Sequence, residues 1–174
     1  MTQTIEIVPV KLEELPQLSE LAKVTYTETF GDHMTKKQLD DFFEESYSLS
    51  VLEKVLNDSE SIVRFLKVNG DIAGYLKLNW GKSQTEHELE DAFEIQRIYI
   101  LRQYQGHGLG NKLFQYAMEK AYESKKSWAW LGVWEHNIKA QGLYRKNGFE
   151  RFSEHHFITG DLVETDWLMK KSLK

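Results

Sequence analysis

FEIQRIYILRQYQGHGLGNKLFQYAMEK, residues 93–120, is the stretch that decides the fold. Its first part, residues 93–100, is rich in β-branched and aromatic residues in partial alternation, which predicts a strand. A short polar link leads to Gly106, Gly108 and Gly110, and apolar residues then recur at helical spacing. The helical apolar residues are Leu113, Phe114, Ala117, Met118 and Ala121. The sequence therefore predicts a strand, a glycine turn and a helix, in that order.

A glycine turn in this position can bind an anion. Backbone N–H groups are free at a helix N-terminus, and glycine, which lacks a Cβ, can lie close to a phosphate. Two familiar phosphate-binding motifs do not fit. A dinucleotide fingerprint needs a glycine where Asn111 stands, and a P-loop needs Lys and Ser or Thr directly after Gly110. An ordinary flexible turn is the alternative, which the flanking strand and helix disfavour.

Composition limits the class of protein. With 174 residues, of which 41% are hydrophobic and 28% charged, we expect one globular domain over residues 1–174. No segment approaches 18 consecutive apolar residues, so no membrane span is predicted. The first fifteen residues lack a basic and an apolar region, so we expect no secretory signal.

Charge and cysteine content limit the partners. The net charge of −5 argues against nucleic acid and is compatible with a cationic small molecule. The absence of cysteine excludes disulfides, cysteine nucleophiles and thiolate metal sites, and fits a cytoplasmic protein. The six histidines form no metal-ligand pattern.

Periodicity along the chain predicts a mixed α/β fold. Strands are expected at residues 5–8, 62–68, 72–79, 93–100, 128–133, 149–157 and 162–169. Helices are expected from about residue 12 toward 25–30, from a Thr35 cap to about 45, and at 49–56, 113–121 and 136–146. Residues 69–71 and 159–161 are hairpin turns, and residues 81–91 are an exposed connection. The result is a twisted sheet of about seven strands with helices on both faces.

Two separated motifs resemble those of the GNAT family of N-acetyltransferases. The first is Gln105-x-x-Gly108-x-Gly110 after the central strand, and the second joins Asn137, Ala140, Tyr144 and Gly148-Phe149. The agreement covers residues 93–152. Within the family, the chain is similar to PaiA-type polyamine acetyltransferases, through segments at 94–100, 106–110, 130–135 and 160–166. The resemblance implies the GNAT acyl-CoA N-acyltransferase fold, with acetyl-CoA as cosubstrate.

The resemblance also implies how the cofactor binds. Backbone groups of the central strand would pair with the pantetheine arm, and the amides of the glycine turn would hold the pyrophosphate. Hydrogen bonds to charged groups contribute about 1.5–3 kcal/mol each, so several amides can anchor the cofactor without an essential Lys or Arg. The implied cofactor-binding residues are Ile98, Tyr99, Ile100, Gln105, Gly106, His107, Gly108, Leu109, Gly110, Asn111, Asn137 and Lys146.

Two residues are candidates for proton transfer. Tyr144 matches the family's general acid, although a tyrosine pKa of about 10 against a thiol pKa of about 8.5 makes hydrogen bonding to the thiolate its larger role. A packed core aromatic is the alternative interpretation. Glu94 on the central strand is the candidate base, acting through water, and Asp91 and Glu90 are weaker candidates. A solvated strand residue is an equal alternative for Glu94.

Acceptor selectivity is expected to come from the N-terminal half. Acidic residues at 32, 40, 41, 44 and 45 flank aromatic residues at 30, 42, 43 and 47. This pattern suits a long, multiply charged amine, although a solvated helix face would also explain each acid. The resemblance implies spermidine or spermine as the acceptor. We predict an acetyl-CoA-dependent N-acetyltransferase acting on such a polyamine, as a monomer or homodimer. Alternatives are acetylation of a protein N-terminus or lysine, and a non-catalytic acyl-CoA-binding regulatory module.

Overall fold

The computed structural model describes residues 2–159 and 161–174. Its strands are β1 Ile5–Pro9, β2 Ser61–Val68, β3 Asp71–Trp80, β4 Ala92–Ile100, β5 Trp128–Trp134, β6 Glu150–Thr159 and β7 Leu162–Ser172. Its helices are α1 Leu15–Phe30, α2 Lys36–Tyr47, α3 Leu49–Leu56, α4 Leu109–Glu123 and α5 Ile138–Lys146. The predicted fold class, a seven-stranded mixed sheet with helices, is therefore confirmed.

The seven strands form one sheet in the order β1-β2-β3-β4-β5-β7-β6. All neighbours pair antiparallel except β4 and β5, which are parallel and are joined through α4. The last strand lies inside the sheet, between β5 and β6. The chain order alone does not reveal this position.

Helices cover both faces of the sheet, and each face has its own core. On one face, α4 and α5 pack on β3, β4 and β5, around fully buried Leu113, Phe114 and Leu131. On the other face, α1, α2 and α3 pack around buried Leu18, Tyr47 and other apolar side chains. Alternating side chains of the central strands serve both cores, because successive residues of a strand point to opposite faces.

The central strands diverge where β4 leaves β5. Their parallel pairing begins at Ala92 with Trp128 and ends at Ile95 with Leu131. The pairing of β4 with β3 shifts register at the next residue, Gln96, so β4 carries a bulge there. A bulge bends its strand and increases the local twist. The rest of β4, residues 96–100, therefore turns away from β5 and opens a gap in the sheet.

Several predicted boundaries are confirmed and others shift. Thr35 caps α2, since its hydroxyl accepts from the Gln38 amide at 3.1 Å, and α2 continues two residues beyond the predicted end. Asn137 is the cap of α5, which starts at Ile138 rather than at residue 136. The predicted turn at 159–161 includes Gly160, which lies outside the described residues.

The connection at 81–91 is less exposed than predicted. Gln84 Oε1 accepts from the Trp130 indole at 2.8 Å, and the Thr85 amide donates to Glu94 Oε1 at 2.9 Å. His155 Nδ1 lies 2.6 Å from Glu86 Oε1, which ties the same segment to β6. These contacts hold the segment on the sheet, while Lys82, His87, Glu88, Glu90 and Asp91 are exposed as predicted.

Gly74 is required for the close approach of β3 and β4. A Cβ built on Gly74 would lie 2.4 Å from the Tyr99 carbonyl oxygen and 2.7 Å from Ile100 Cδ1. Because the carbonyl belongs to a paired strand, it cannot move without disturbing the sheet. We expect Gly74→Ala to lower the free energy of unfolding by about 2 kcal/mol, measured by urea denaturation. Gly142→Ala is the control, since nothing lies within 4 Å of its Cβ position; an equal loss in both variants would contradict the prediction.

Candidate active site

The glycine turn is exposed and precedes α4 directly. Gly106 has φ +86° and Gly108 has φ +77°, a left-handed conformation that glycine adopts without strain. A Cβ at either residue would have no heavy atom within 4 Å, so the turn faces open space. The first helical hydrogen bond of α4 runs from the Lys112 amide to the Gly108 carbonyl at 3.1 Å. The preceding amides of Leu109, Gly110 and Asn111 therefore point out of the helix end, where an anion can bind.

The open edge of β4 leads toward this turn. Ile98, Tyr99 and Ile100 lie beyond the last pair between β4 and β5, while on their other side they pair with β3. Gln105 folds back, and its Nε2 donates to the Ile100 carbonyl at 3.0 Å, which fixes the link between strand and turn. His107 is exposed in the turn. Strand edge and turn thus form one continuous backbone surface.

Tyr144 packs on the same face of the sheet as α4. Its ring centroid is 5.5 Å from that of Phe114 and 6.3 Å from that of Phe149, and only 7% of the residue is exposed. Among the described residues its hydroxyl has no hydrogen-bond partner, yet the oxygen is not sealed from solvent. Burial raises the pKa of Tyr144 to about 12. The ring is therefore a core residue, whereas the hydroxyl is protonated and available to a ligand.

The other two predicted cofactor residues are on α5. Asn137 Oδ1 accepts from the Ala140 amide at 3.2 Å, so the side chain caps the helix while its Nδ2 is free to donate. Lys146 is exposed in the last turn of α5. Gln141, which sequence reasoning missed, is buried and donates to the carbonyls of Trp134 and Glu135 at 3.1 and 2.8 Å. This residue holds the loop between β5 and α5.

Glu94 is part of a buried polar network. The residue is 2% exposed, and its carboxylate accepts from Asn79 Nδ2 at 2.9 Å and from both the amide and the hydroxyl of Thr85. Lys77 belongs to the same network and donates to Asn79 Oδ1 at 2.9 Å and to Gln96 Oε1. Burial, with Arg97 nearby, lowers the pKa of Lys77 to about 8. Glu94 is therefore a hydrogen-bonded buried carboxylate, and the alternative of a solvated strand face is wrong.

The acidic residues predicted for selectivity separate into two groups. Asp40 and Asp41 are exposed and pair with Lys36 and Lys37 at 2.6 and 2.8 Å, and Glu44 and Glu45 are exposed as well. They occupy the solvent side of α2, since Phe42, Phe43 and Tyr47 on its other side pack around Tyr26. Asp32 is exposed as well, but it lines a surface cavity.

That cavity is a shallow surface depression, wide open to solvent, with a volume of about 530 Å³; it lies between the start of α2 and the β6–β7 hairpin. Asp32 and Asp161 contribute carboxylates, and His33 stacks edge-on against Trp134 at 4.9 Å. Trp134 also donates from Nε1 to Glu164 Oε2 at 2.8 Å. Sequence reasoning missed Trp134, Glu164 and Asp166 as site residues. The 160–166 segment that contributed to the family resemblance was the available signal.

Taken together, the site has two halves on either side of a gap in the sheet. One half offers backbone amides and an open strand edge, and the other offers carboxylates and aromatic rings. Among the described residues no group of His, Asp or Glu side chains is arranged to hold a metal ion. Backbone groups that can hold a thioester arm and carboxylates that can hold an amine are the features that an acyl-CoA-dependent N-acyltransferase needs.

Comparison with known proteins agrees with this class. Residues 15–149 match the model of the Acetyltransferase (GNAT) family. An uncharacterized N-acetyltransferase in the pepI 3' region of Lactobacillus delbrueckii subsp. lactis is 40% identical over 97% of this chain and 98% of its own length. The chain therefore belongs to the GNAT family. It is an acetyl-CoA-dependent N-acetyltransferase, with acetyl-CoA as its cosubstrate.

Two further proteins are similar to parts or all of the chain. The PaiA N-acetyltransferase of Thermoplasma acidophilum, solved in complex with coenzyme A, superposes with a TM-score of 0.78 at 20% identity, covering 97% of this chain and 99% of that one. The spermine/spermidine N(1)-acetyltransferase of Bacillus subtilis (strain 168) is 28% identical over 53% of this chain and 61% of its own length. In the described residues, no helix has the length and apolar character needed to cross a membrane.

Proposed function

We propose that the acceptor is a small polyamine, such as spermidine or spermine, acetylated on a primary amino group by direct transfer in a ternary complex. The observation that carries this proposal is the cavity beside Trp134, in which Asp32 and Asp161 provide two carboxylates on different segments of the chain. A polyamine carries several ammonium groups along one chain, and separated carboxylates can each pair with one of them. The similarity to the Bacillus enzyme supports the same acceptor class.

The cofactor is proposed to bind along the open edge of β4. Its pantetheine arm would pair with the backbone at residues 98–100, and its pyrophosphate would accept from the amides of the turn at 106–111. The exposed turn, its positive φ values and the free amides of α4 support this arrangement. Gln105, Asn137 and Lys146 are proposed to contribute from the rim. Residues 1–174 would act as one domain, as a monomer or homodimer.

Tyr144 is proposed to stabilise the departing thiolate. With its pKa raised to about 12, full proton transfer to a thiolate whose acid has a pKa of about 8.5 is uphill by about 5 kcal/mol. A hydrogen bond from the hydroxyl to the developing thiolate avoids this cost. Glu94 as a proton relay stays a prediction, since its carboxylate already accepts several hydrogen bonds. The absence of cysteine supports the proposed cytoplasmic location.

An acceptor panel tests the proposed function directly. Purified protein and acetyl-CoA are incubated with spermidine, spermine, propylamine, a peptide with a free N-terminus and a lysine peptide, and release of the free thiol is measured. We expect kcat/KM to be highest for the polyamines. Preference for a peptide would favour protein acetylation, and tight acetyl-CoA binding without turnover of any acceptor would favour the regulatory module.

Removing the two cavity carboxylates should raise the KM of polyamine acceptors but not that of monoamines. We expect Asp32→Asn combined with Asp161→Asn to raise KM for spermidine three- to tenfold, since both carboxylates are exposed and exposed ion pairs contribute about 0.2–1 kcal/mol each. The KM for propylamine should not change, because a monoamine has no second charge to place in the cavity. Steady-state kinetics at pH 8 measure both values. An equal rise for both amines would contradict a role in holding the distal charge.

A further inference from the structure

Asp166 lies on β7 at the point where the sheet opens. It is the register partner of Trp134 at the end of β5. It lies three residues along β7 from Met169, which pairs with Leu131 at the level where the pairing of β4 with β5 ends. A Cβ built on Gly132 would lie 3.5 Å from Asp166 Oδ2, so this carboxylate sits over the glycine. Gly132 directly follows Leu131, where the pairing of β5 with β4 ends. Asp166 therefore places a carboxylate close to the point where β4 and β5 separate.

The surroundings of Asp166 leave its carboxylate partly buried and without a fixed partner. Among the described residues it accepts no hydrogen bond, and its oxygens are not sealed from solvent. His155 on β6 and Glu164 on β7 are the titratable groups that act on it. Tyr26 on α1 and Tyr99 on β4 face it from the other elements, and the carboxylate contributes to raising the pKa of both, after burial and Tyr47.

Burial raises the pKa of Asp166 to about 6, with Glu164 adding to the rise and His155 opposing it. The carboxylate is therefore ionised at pH 7 to 8, but it is a stronger base than an exposed aspartate. Efficient general bases have a pKa close to the working pH. Partial burial beside a site that must accept an ammonium ion is the environment in which such a base is found.

We propose that Asp166 is the general base that takes the proton from the acceptor ammonium group. This inference rests on the proposed function, since it assumes that an amine reaches the thioester at the divergence of β4 and β5. Asp166 faces the α1 side of the sheet, beside Tyr26 and Trp134, which is the side of the proposed acceptor cavity. An amine that reaches a thioester at the divergence of β4 and β5 from this side would come close to this carboxylate.

The proton and electron balance of the step is complete without another reactant. Asp166 accepts one proton from the ammonium group, and the freed lone pair forms a C–N bond with the thioester carbonyl carbon. The C–S bond breaks with its electron pair on sulfur. The second proton leaves the nitrogen and yields the free thiol of coenzyme A, while Asp166 returns its proton to water. The products are the acetylated amine, coenzyme A and one proton.

Glu94 is less suited to this step. Its carboxylate is 2% exposed and already accepts from Asn79 and Thr85. Taking up a proton would break these hydrogen bonds or turn them into unfavourable contacts, because a protonated oxygen no longer accepts in the same way. Asp166 has no such bonds to lose among the described residues.

The test compares Asp166→Asn with Glu94→Gln and with Asp71→Asn, an exposed aspartate at the start of β3 that serves as matched control. The pH dependence of kcat/KM for spermidine is measured from pH 5 to 9, with the Kd of acetyl-CoA for each variant. We expect the wild-type value to fall below about pH 6. Asp166→Asn should lower kcat/KM at pH 8 by about 10²-fold or more, remove this acid limb and leave the cofactor Kd unchanged. Asp71→Asn should match the wild type.

A second measurement does not depend on activity. Carbon-13 NMR of the aspartate carboxyl groups should show one resonance titrating near pH 6 that is absent in Asp166→Asn. Wild-type activity with a less than threefold loss in Asp166→Asn would overturn the proposal, as would an acid limb that Glu94→Gln removes and Asp166→Asn retains. Absence of amine turnover in the wild type would instead overturn the proposed function, with the titration still reporting the carboxylate.

Discussion

Replacing Tyr144 with phenylalanine should lower kcat for acetyl transfer about 10²-fold, with no loss of stability. The hydroxyl has no hydrogen-bond partner among the described residues, so its removal leaves no buried group unsatisfied. The ring contacts with Phe114 and Phe149 are kept in the variant. In the proposed mechanism the variant loses a hydrogen-bond donor to charge that develops only in the transition state, and loss of such a donor typically costs 10²–10³ in rate.

The same variant has a defined pH signature. Because the pKa of Tyr144 is raised to about 12, its hydroxyl is protonated over the whole working range. The wild-type enzyme should therefore show no loss of kcat from this group up to about pH 10. The contrary result would be a loss of wild-type kcat above about pH 9 that is absent in Tyr144→Phe. It would mean that burial does not set the pKa of the hydroxyl, and that the hydroxyl transfers its proton fully to the thiolate.

Tyr122→Phe is the matched control, since Tyr122 lies on α4 and is 50% exposed. Its kcat should equal that of the wild type. Steady-state thiol release measures kcat, and thermal unfolding of both variants measures Tm. A loss of less than tenfold in Tyr144→Phe would remove the residue from the role of thiolate donor. A Tm that falls together with kcat would assign the residue to packing alone.

Local patterns predicted most of the fold. The strand, turn and helix at 93–120, the Thr35 cap and the hairpin at Asn69-Gly70 are all decided by residues close together in sequence. The insertion of β7 between β5 and β6 was not predictable in this way, because it depends on contacts between distant segments. The bulge at Gln96, which opens the sheet, has no local signal either.

Only half of the candidate site could be predicted, because its other half depends on contacts between segments that are distant in the sequence. The cofactor side is a short contiguous motif whose function follows from backbone geometry, so its residues could be named from the sequence. The proposed acceptor side combines Asp32, which precedes α2, with Asp161 of the β6–β7 hairpin. The pattern of acids near aromatic residues selected Asp32, but it also selected Asp40 and Asp41, which helical geometry turns to solvent. Residues 32 and 161 are 129 positions apart in the chain, so residue spacing does not reveal that the two carboxylates line the same cavity.

The partly buried carboxylate of Asp166, where β4 and β5 diverge, should lower the free energy of unfolding at neutral pH. Asp166→Asn should raise that free energy again. With a folded pKa of about 6 against an ordinary value of 3.8, the native state binds a proton more tightly than the unfolded chain. Stability from this group is therefore greatest below pH 4 and decreases as pH rises to 6. The full difference corresponds to about 3 kcal/mol, which solvent screening at this half-buried position reduces to between about 1 and 3 kcal/mol.

Urea denaturation of wild type and Asp166→Asn at pH 4 and pH 8 measures this effect. We expect the two proteins to have similar stability at pH 4 and the variant to be more stable by about 1–3 kcal/mol at pH 8. Asp71→Asn should show no such divergence, since Asp71 is exposed. A variant that is less stable than the wild type at pH 8 would show that the carboxylate is held by favourable contacts. Gain of stability with loss of activity is the pattern expected where a fold retains an unfavourable charge for its chemistry.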